Sequence, residues 1–357
     1  MQIEIIIGCE MHPNEVADYA VAAEKAGVRA LWHSNLPNGW DPFVGLSQAA
    51  QATSRIKLGV LALSPYEMHP VRIAYSIISL NELSQGRAIL GLGGGGAMAL
   101  ATTVRPDAES LDFKSMRIVR GVREAAEIIL LMASGEFHHG YQGEVFSVSA
   151  PFKLTFMEAA RPQIFTCSMG PQMLRMGGRI ADGLQVGDVT ADRLPEVMRD
   201  IQAGLAKREH PPEDFRIGNF WAWHIKPDRD ASMREARVGL FARAEVIPPH
   251  IGLDHLLDAE EAQLVRDNYR NFLLAGVTGT GDIKGVPPEL VQRLIDHVSS
   301  SGDYGDIDRE IERFKAMERA GLTDLALRVF DDPWESLETI RERVIPHFHQ
   351  AQSVVDP

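Results

Sequence analysis

The chain has 357 residues, 45% hydrophobic and 24% charged, with a formal net charge of −13; this is an ordinary globular composition, with enough chain for one large α/β barrel or two smaller domains. The acidic balance excludes the electrostatic footprint of a nucleic-acid or anionic-membrane partner, although backbone amides can still bind an anionic cofactor locally. Cys9 and Cys167 are the only cysteines, too few for a disulfide framework or a zinc site; with no signal-peptide pattern at the N-terminus and no run near the ~18 apolar residues of a membrane span, a cytoplasmic protein is expected.

Ile3 to Gly8 is a continuous apolar run, the pattern of a strand buried on both faces of a parallel sheet. Pro13-Asn14-Glu15 opens a helix that Gly27 closes, and Val28 to His33 is a second strand ending in Ser34-Asn35. After the loop LPNGWDP a helix spans Phe43 to Thr53. Residues 55–96 then read as strand, turn, helix, strand and glycine turn: an apolar strand to Leu63, a break at Ser64-Pro65-Tyr66, a helix from Pro70 to Leu83, a strand from Arg87 to Leu92, and Gly93 to Gly96. A long helix runs from about Phe113 to Met132, and residues 137–155 break the alternation as a hairpin or extended excursion. Strands five, six, seven and eight are expected at Pro162–Cys167, Leu184–Gly187, Arg216–Ile225 and Leu322–Val329. Helices follow them from Pro171, over Leu194–Ala206, over Asp230–Ala242 and over Trp334–His347, with another over Asp306–Ala320; residues 245–305 read as inserted helices about a glycine-rich loop. Eight strands alternating with helices predict a single (β/α)8 barrel over 1–357 with two insertions, an open doubly wound sheet being the alternative.

A barrel carries its site at the strand C-termini. Those ends offer Cys9 and Glu10, Ser34 and Asn35, Leu61 to Ser64, Gly93 to Gly96, Ser168-Met169-Gly170, Gly187-Asp188, Trp223 and His224, and Arg328. The set holds few acids and bases, no Ser-His-Asp arrangement and no metal-ligand spacing, and the adjacent His138 and His139 point apart on an extended stretch. A site of glycines, small residues and apolar groups suits a flat cofactor that brings its own reactivity. The run GLGGGG matches the dinucleotide fingerprint only as any glycine run would. Ser168-Met169-Gly170, between a strand and the helix at Pro171, is an anion site in waiting, because the first N–H groups of a helix are unpartnered. Arg175 and Arg179 lie one turn apart on that helix, Arg175 facing solvent and Arg179 toward the cofactor.

The stretches RIKLGVLALSPYEMHP, LNELSQGRAILGLGGG and GPQMLRMGGRIADG, with the ending AGLTDLALRVF…VIPHF, span nearly the whole chain. In them the sequence resembles the bacterial luciferase-like flavin-dependent oxidoreductases, and most of all their F420-dependent branch, which includes methylenetetrahydromethanopterin reductase. The resemblance implies a cofactor ring at the strand C-termini of the barrel, against a bulge in strand three with a non-prolyl cis peptide, by position Leu61–Ala62. It implies cofactor contacts at Asn35, where relatives often carry aspartate, at Leu61, Ala62, Gly93 and Gly94, and a phosphate end at Ser168, Met169 and Gly170.

Two usual acid/base groups of the deazaflavin sugar-phosphate dehydrogenases are absent, since their positions are Leu36 and Gly96. Proton transfer would then fall to Glu10, His33, Glu67, His69 or His224, or to solvent, with Glu10, His33 and Glu67 the expected catalytic set, Glu10 first because it follows strand one directly, and His69 more in keeping with a helix cap. Trp40, Trp223 and His224 are expected to line the substrate side. The expected cofactor is F420, with FMN and a monooxygenase reaction as the alternative and a non-catalytic flavin binder as a further one. The substrate is expected to be a small molecule, its pocket covered by the 245–305 segment. A homodimer is expected through the helices Phe43–Thr53 and Val71–Leu83, where luciferase-like proteins often pair.

Overall fold

A computed structural model describes residues 1–95, 117–135, 137, 139–150, 154–243 and 255–348. The expectations on Gly96, His138 and the start of the Phe113 helix fall outside these residues, as does the first part of the 245–305 segment. The chain divides into two compact units, Gln2–Val186 with Glu196–Gly218, and Gly187–Pro195 with Asn219–Pro357 and Met1.

The first unit contains β1 (Gln2–Ile7), α1 (Pro13–Ala26), β2 (Ala30–Ser34), α2 (Pro42–Ala52), β3 (Lys57–Leu63), α3 (Pro70–Leu83), β4 (Ala88–Leu92), α4 (Ile118–Ser134), the short strands β5 (Tyr141–Gln142) and β6 (Ser147–Val148), β7 (Gln163–Cys167), α5 (Pro171–Ile180) and β8 (Gly183–Gly187). Most of α6 (Leu194–Leu205) also belongs here. The strands pair in parallel in chain order, β1-β2-β3-β4-β7-β8, with registers such as Ile5 opposite Leu31 and Leu31 opposite Leu58. An order without reversal belongs to the (β/α)8 class and not to the doubly wound sheet, whose order turns back at its switch point. Every residue of β2, β4 and β8 is buried, the cost-free state for apolar residues that helices cover on one side and packed side chains on the other.

Local chemistry sets the helix starts. α1, α2, α3 and α5 begin on Pro13, Pro42, Pro70 and Pro171, where the missing N–H was unpaired in any case. Asp41 caps α2 by accepting from the Phe43 and Val44 amides at 2.9 and 3.1 Å. His69 caps α3 through Nδ1, 3.2 Å from the Val71 amide, the structural role read from the sequence. Gly27 ends α1 at φ 85°, a conformation glycine adopts without strain. The 137–155 excursion is an antiparallel pair, Tyr141 opposite Val148, and the buried Glu124 carboxylate on α4 accepts from the Glu144, Val145 and Phe146 amides at 2.8–3.0 Å.

The second unit contains most of β9 (Arg216–Trp223), then α7 (Arg229–Gly239), α8 (Ala259–Asp267), α9 (Tyr269–Val277), α10 (Pro288–Val298), β10 (Ser299–Ser300), α11 (Ile307–Arg319), β11 (Asp324–Arg328) and α12 (Pro333–Thr339). The inserted helices have a core of their own, in which Phe272, Leu290, Leu294 and Val298 pack with Ala236, Leu240 and Val265. Near the end of the segment read as inserted, at about 305, Ser299 and Ser300 pair in parallel with Ala222 and Trp223 of β9. Three consecutive serines carry no apolar signal, so hydrophobic patterning passes over this strand. No helix among the described residues is long and apolar enough to cross a membrane.

Candidate active site

A hydrogen-bonded cluster lies at the C-terminal ends of β2 and β3. The Leu61–Ala62 peptide is cis, and the register between β3 and β4 slips between Val60 and Leu63, the bulge expected there. Asn35 follows β2 directly. Its backbone amide donates to the Leu61 carbonyl at 2.9 Å, and its side-chain Nδ2 donates to the Ala62 carbonyl at 3.2 Å and to Glu67 Oε1 at 2.7 Å. The Ser64 amide gives Glu67 Oε1 a second donor at 2.8 Å. Glu67 sits in the turn Ser64–Met68, whose Glu67 and Met68 amides return to the Ser64 carbonyl at 3.2 Å. Half-burial raises the Glu67 carboxyl above its ordinary range, more than the Ser64 and Asn35 hydrogen bonds lower it.

Beside the bulge lies a floor of small side chains. A Cβ on Gly93 would stand 3.7 Å from the Ala62 Cβ and 3.4 Å from the Cys167 Cβ, so these three positions form one row across β3, β4 and β7. At Gly91 no side chain fits, because a Cβ would stand 2.8 Å from the Val60 carbonyl oxygen. Gly94 is small for packing: its Cβ would fall 2.3 Å from Ile118 Cγ2 at the start of α4. Burial pushes the Cys167 thiol up to about 12, so at neutral pH it is a protonated apolar neighbour.

The start of α5 has no side-chain cap, and Gly170 is exposed with open space where a Cβ would be. Met169 is exposed as well, whereas Ser168 is buried with its hydroxyl turned toward the Met173 carbonyl at 3.5 Å. The donors on offer are therefore the amides of the first turn rather than the Ser168 hydroxyl. Arg179 is not brought to this end. It lies in the last turn of α5, and eight residues along a helix is about 12 Å. Arg175 is exposed and paired with Asp200 at 2.7 Å, as its solvent-facing reading requires.

Of the remaining candidates in this unit, Glu10 is exposed, and its hydrogen-bond contacts among the described residues are long, the Cys9 thiol at 3.8 Å and Asn38 Nδ2 at 3.5 Å. Trp40 is 41% exposed, edge-on to His12 at 5.2 Å, and fixed by its amide on the Cys9 carbonyl at 2.8 Å. His33 does not join them. Its ring lies fully buried beneath α2, so close that a Cβ on Gly45 would fall 2.4 Å from Nε2, because strand alternation turns it away from the face that Trp32 occupies.

In the second unit Trp223 is buried against Phe314 of α11, with ring centroids 6.4 Å apart, and is core rather than an open wall. His224 is buried too, stacked on Phe330 at 4.6 Å with Nδ1 2.7 Å from Glu235 Oε1. Burial lowers its pKa, outweighing the Glu235 carboxylate, so the neutral ring donates Nδ1–H to Glu235. Glu235 also receives Lys226 at 2.8 Å and the Asp331 amide at 3.1 Å. A buried pair, Asp188 and Arg243 at 3.4 Å with the guanidinium 4.7 Å over the Phe220 ring, was equally hidden from pattern reading, since its members are far apart in sequence. No group of three or more His, Cys, Asp or Glu able to hold a metal occurs among the described residues.

A family model described as luciferase-like monooxygenase matches residues 4–324. The chain is 27% identical over 339 residues to the 5,10-methylenetetrahydromethanopterin reductase of Archaeoglobus fulgidus, covering 94% of this chain and 96% of that protein. It is 31% identical over 242 residues to the F420-dependent glucose-6-phosphate dehydrogenase of Kineococcus radiotolerans, covering 59% and 69%. The solved coenzyme F420 dependent tetrahydromethanopterin reductase of Methanopyrus kandleri superposes with a TM-score of 0.77 at 22% identity, covering 98% of this chain and 100% of that one, a likeness of fold.

Proposed function

We propose that this protein, which belongs to the luciferase-like monooxygenase family, is a coenzyme F420-dependent oxidoreductase acting on a small organic substrate. The observation that carries this reading is the row of small side chains Ala62, Gly93 and Cys167, with the Asn35 amide on the Ala62 carbonyl beside it, a surface on which a planar ring can lie. Relatives named as F420-dependent or as methylenetetrahydromethanopterin reductase support the same reading over most of the chain.

When bound, the deazaflavin supplies hydride chemistry at its ring. The chain's own residues bind, orient and exclude water. Ala62 and Gly93 would carry the ring face, Asn35 its edge, and the uncapped amides at the start of α5 with Gly170 the phosphate end. Trp40, exposed beside His12, is the apolar surface offered to the substrate. A homodimer is part of the proposal, and the exposed Val44 on α2 and Leu83 at the end of α3 are the apolar groups it would cover.

Titrating the purified protein with F420 and separately with FMN, following fluorescence, tests this. Micromolar or tighter F420 binding with weak FMN binding is expected. The opposite preference would move the protein to FMN-dependent oxygen chemistry, and binding of neither would remove the cofactor assignment.

A further inference from the structure

We propose that Glu67, oriented by Asn35, exchanges a proton with the substrate heteroatom during hydride transfer, with Oε2 as the proton-carrying atom; this rests on the oxidoreductase reading above. The two positions that usually hold such groups in the resembling dehydrogenases are here Leu36 and Gly96, neither able to titrate. Of the expected alternatives, His33 is buried under α2 and Glu10 is an exposed loop carboxylate with long contacts only.

The hydrogen bonds single out one oxygen. Glu67 Oε1 accepts from Asn35 Nδ2 at 2.7 Å and from the Ser64 amide at 2.8 Å, which occupies both of its lone pairs. A proton taken up by the carboxyl therefore goes to Oε2. The orientation of Asn35 is equally determined, since the Ala62 carbonyl 3.2 Å away can only accept, and the NH2 end must face both it and Glu67. An aspartate at position 35 would set acceptors against a carbonyl oxygen and a carboxylate; the amide removes that repulsion and leaves Glu67 free to hold or release its proton. The groups facing Glu67 are the neutral Asn35 amide from the end of β2 and the Ser64 amide from the turn after β3, and among the described residues no cation pairs with it. Burial without a cation favours the neutral acid, in line with its raised pKa.

In the reductive direction hydride brings two electrons and one hydrogen to the substrate carbon. The Oε2–H bond breaks, the proton goes to the attached heteroatom, and the carboxylate is reprotonated from water; oxidation runs the same moves in reverse. Asn35 acts through Glu67 and is a positioning residue.

The test uses the full chain and F420 itself. Glu67→Gln keeps an oxygen for both N–H donors, so folding is retained. Infrared titration of the ligand-free protein should show a protonated-carboxyl band that persists above the ordinary glutamate range, ~4.3, and is missing in E67Q. Covering the half-exposed carboxyl with the ring desolvates it further, so F420 binding at pH values above the ordinary glutamate range should take up protons, measured calorimetrically in buffers of different ionisation enthalpy. That uptake should vanish in E67Q while affinity stays within about threefold, and Asn35→Asp should shift the infrared titration without abolishing it. Equal uptake in wild type and E67Q, or a band that E67Q leaves in place, would overturn the assignment. Absence of F420 binding with the band intact would instead remove the cofactor reading alone, because the band reports Glu67 without any ligand.

Discussion

Gly93 and Gly94 are neighbours in one glycine run, yet the structure assigns them different reasons to be small. Gly94 makes room for Ile118, whereas a Cβ on Gly93 would stand at ordinary contact distance from its nearest described neighbours, Ala62 and Cys167. Gly93→Val should therefore fold with an unchanged melting temperature and lose F420 affinity by at least about tenfold, since the added methyls rise into the floor; retained affinity would show that the ring lies elsewhere. The sign of the pH dependence follows from Glu67. Its folded pKa is raised, so its contribution to stability is present below the ordinary glutamate value and is lost as pH rises through the raised one. Over that window reduction should slow and oxidation quicken as pH rises, and a pH–rate profile in both directions reads this out. Glu67 was nameable from its place after strand three, but its hydrogen-bond partner was not, because Asn35 lies 32 residues away. His33 shows the converse: a histidine near a strand end reads as a candidate until the pleat decides which face it takes.

Elements carry their own tests. The β5–β6 hairpin breaks the β/α alternation and is tied to α4 by Glu124, which accepts three backbone N–H groups while fully buried. Glu124→Ala should destabilise the fold by about 3 kcal/mol, because those donors lose their acceptor in a site closed to water; urea denaturation measures the loss, and a change under 1 kcal/mol would place the hairpin's stability elsewhere. Elements of this kind were largely legible. Proline at the first helical position, apolar runs of strand length and glycine stops are local signals, and they marked α3 from Pro70 to Leu83 to the residue. The strand β10 was not legible, since Ser299 and Ser300 join the sheet through backbone pairing alone. Arg179 lies eight residues along α5 from the uncapped start proposed for the phosphate, a separation of about 12 Å that sequence spacing alone did not weigh.

At the scale of the whole molecule, the proposed homodimer is directly testable. Light scattering at micromolar concentration should give twice the 39.4 kDa chain mass, and Val44→Lys, which puts a charge on the exposed face of α2, should shift the protein toward monomer without lowering its melting temperature. A monomeric wild type would end that proposal. The net charge of −13 gives the assembly long-range repulsion from anionic polymers, so no salt-sensitive retention on nucleic acid is expected.

By itself the sequence determined the (β/α)8 class and the order of its main strands and helices, which rest on periodicity and punctuation, properties of neighbouring residues. The family and the position of the cis peptide came from its resemblance, stretch by stretch, to the luciferase-like proteins. Tertiary structure alone decided which candidates meet: that Asn35 reaches both Ala62 and Glu67, that Gly93 and Ala62 share a floor with Cys167, that His224 is held by Glu235, and that His33, Trp223 and Arg179 stand apart from the positions first assigned to them. Hydrogen bonds and packing act over a few ångströms in space whatever the separation along the chain, and which residues come that close is settled by strand register and side-chain facing, which a single sequence does not record.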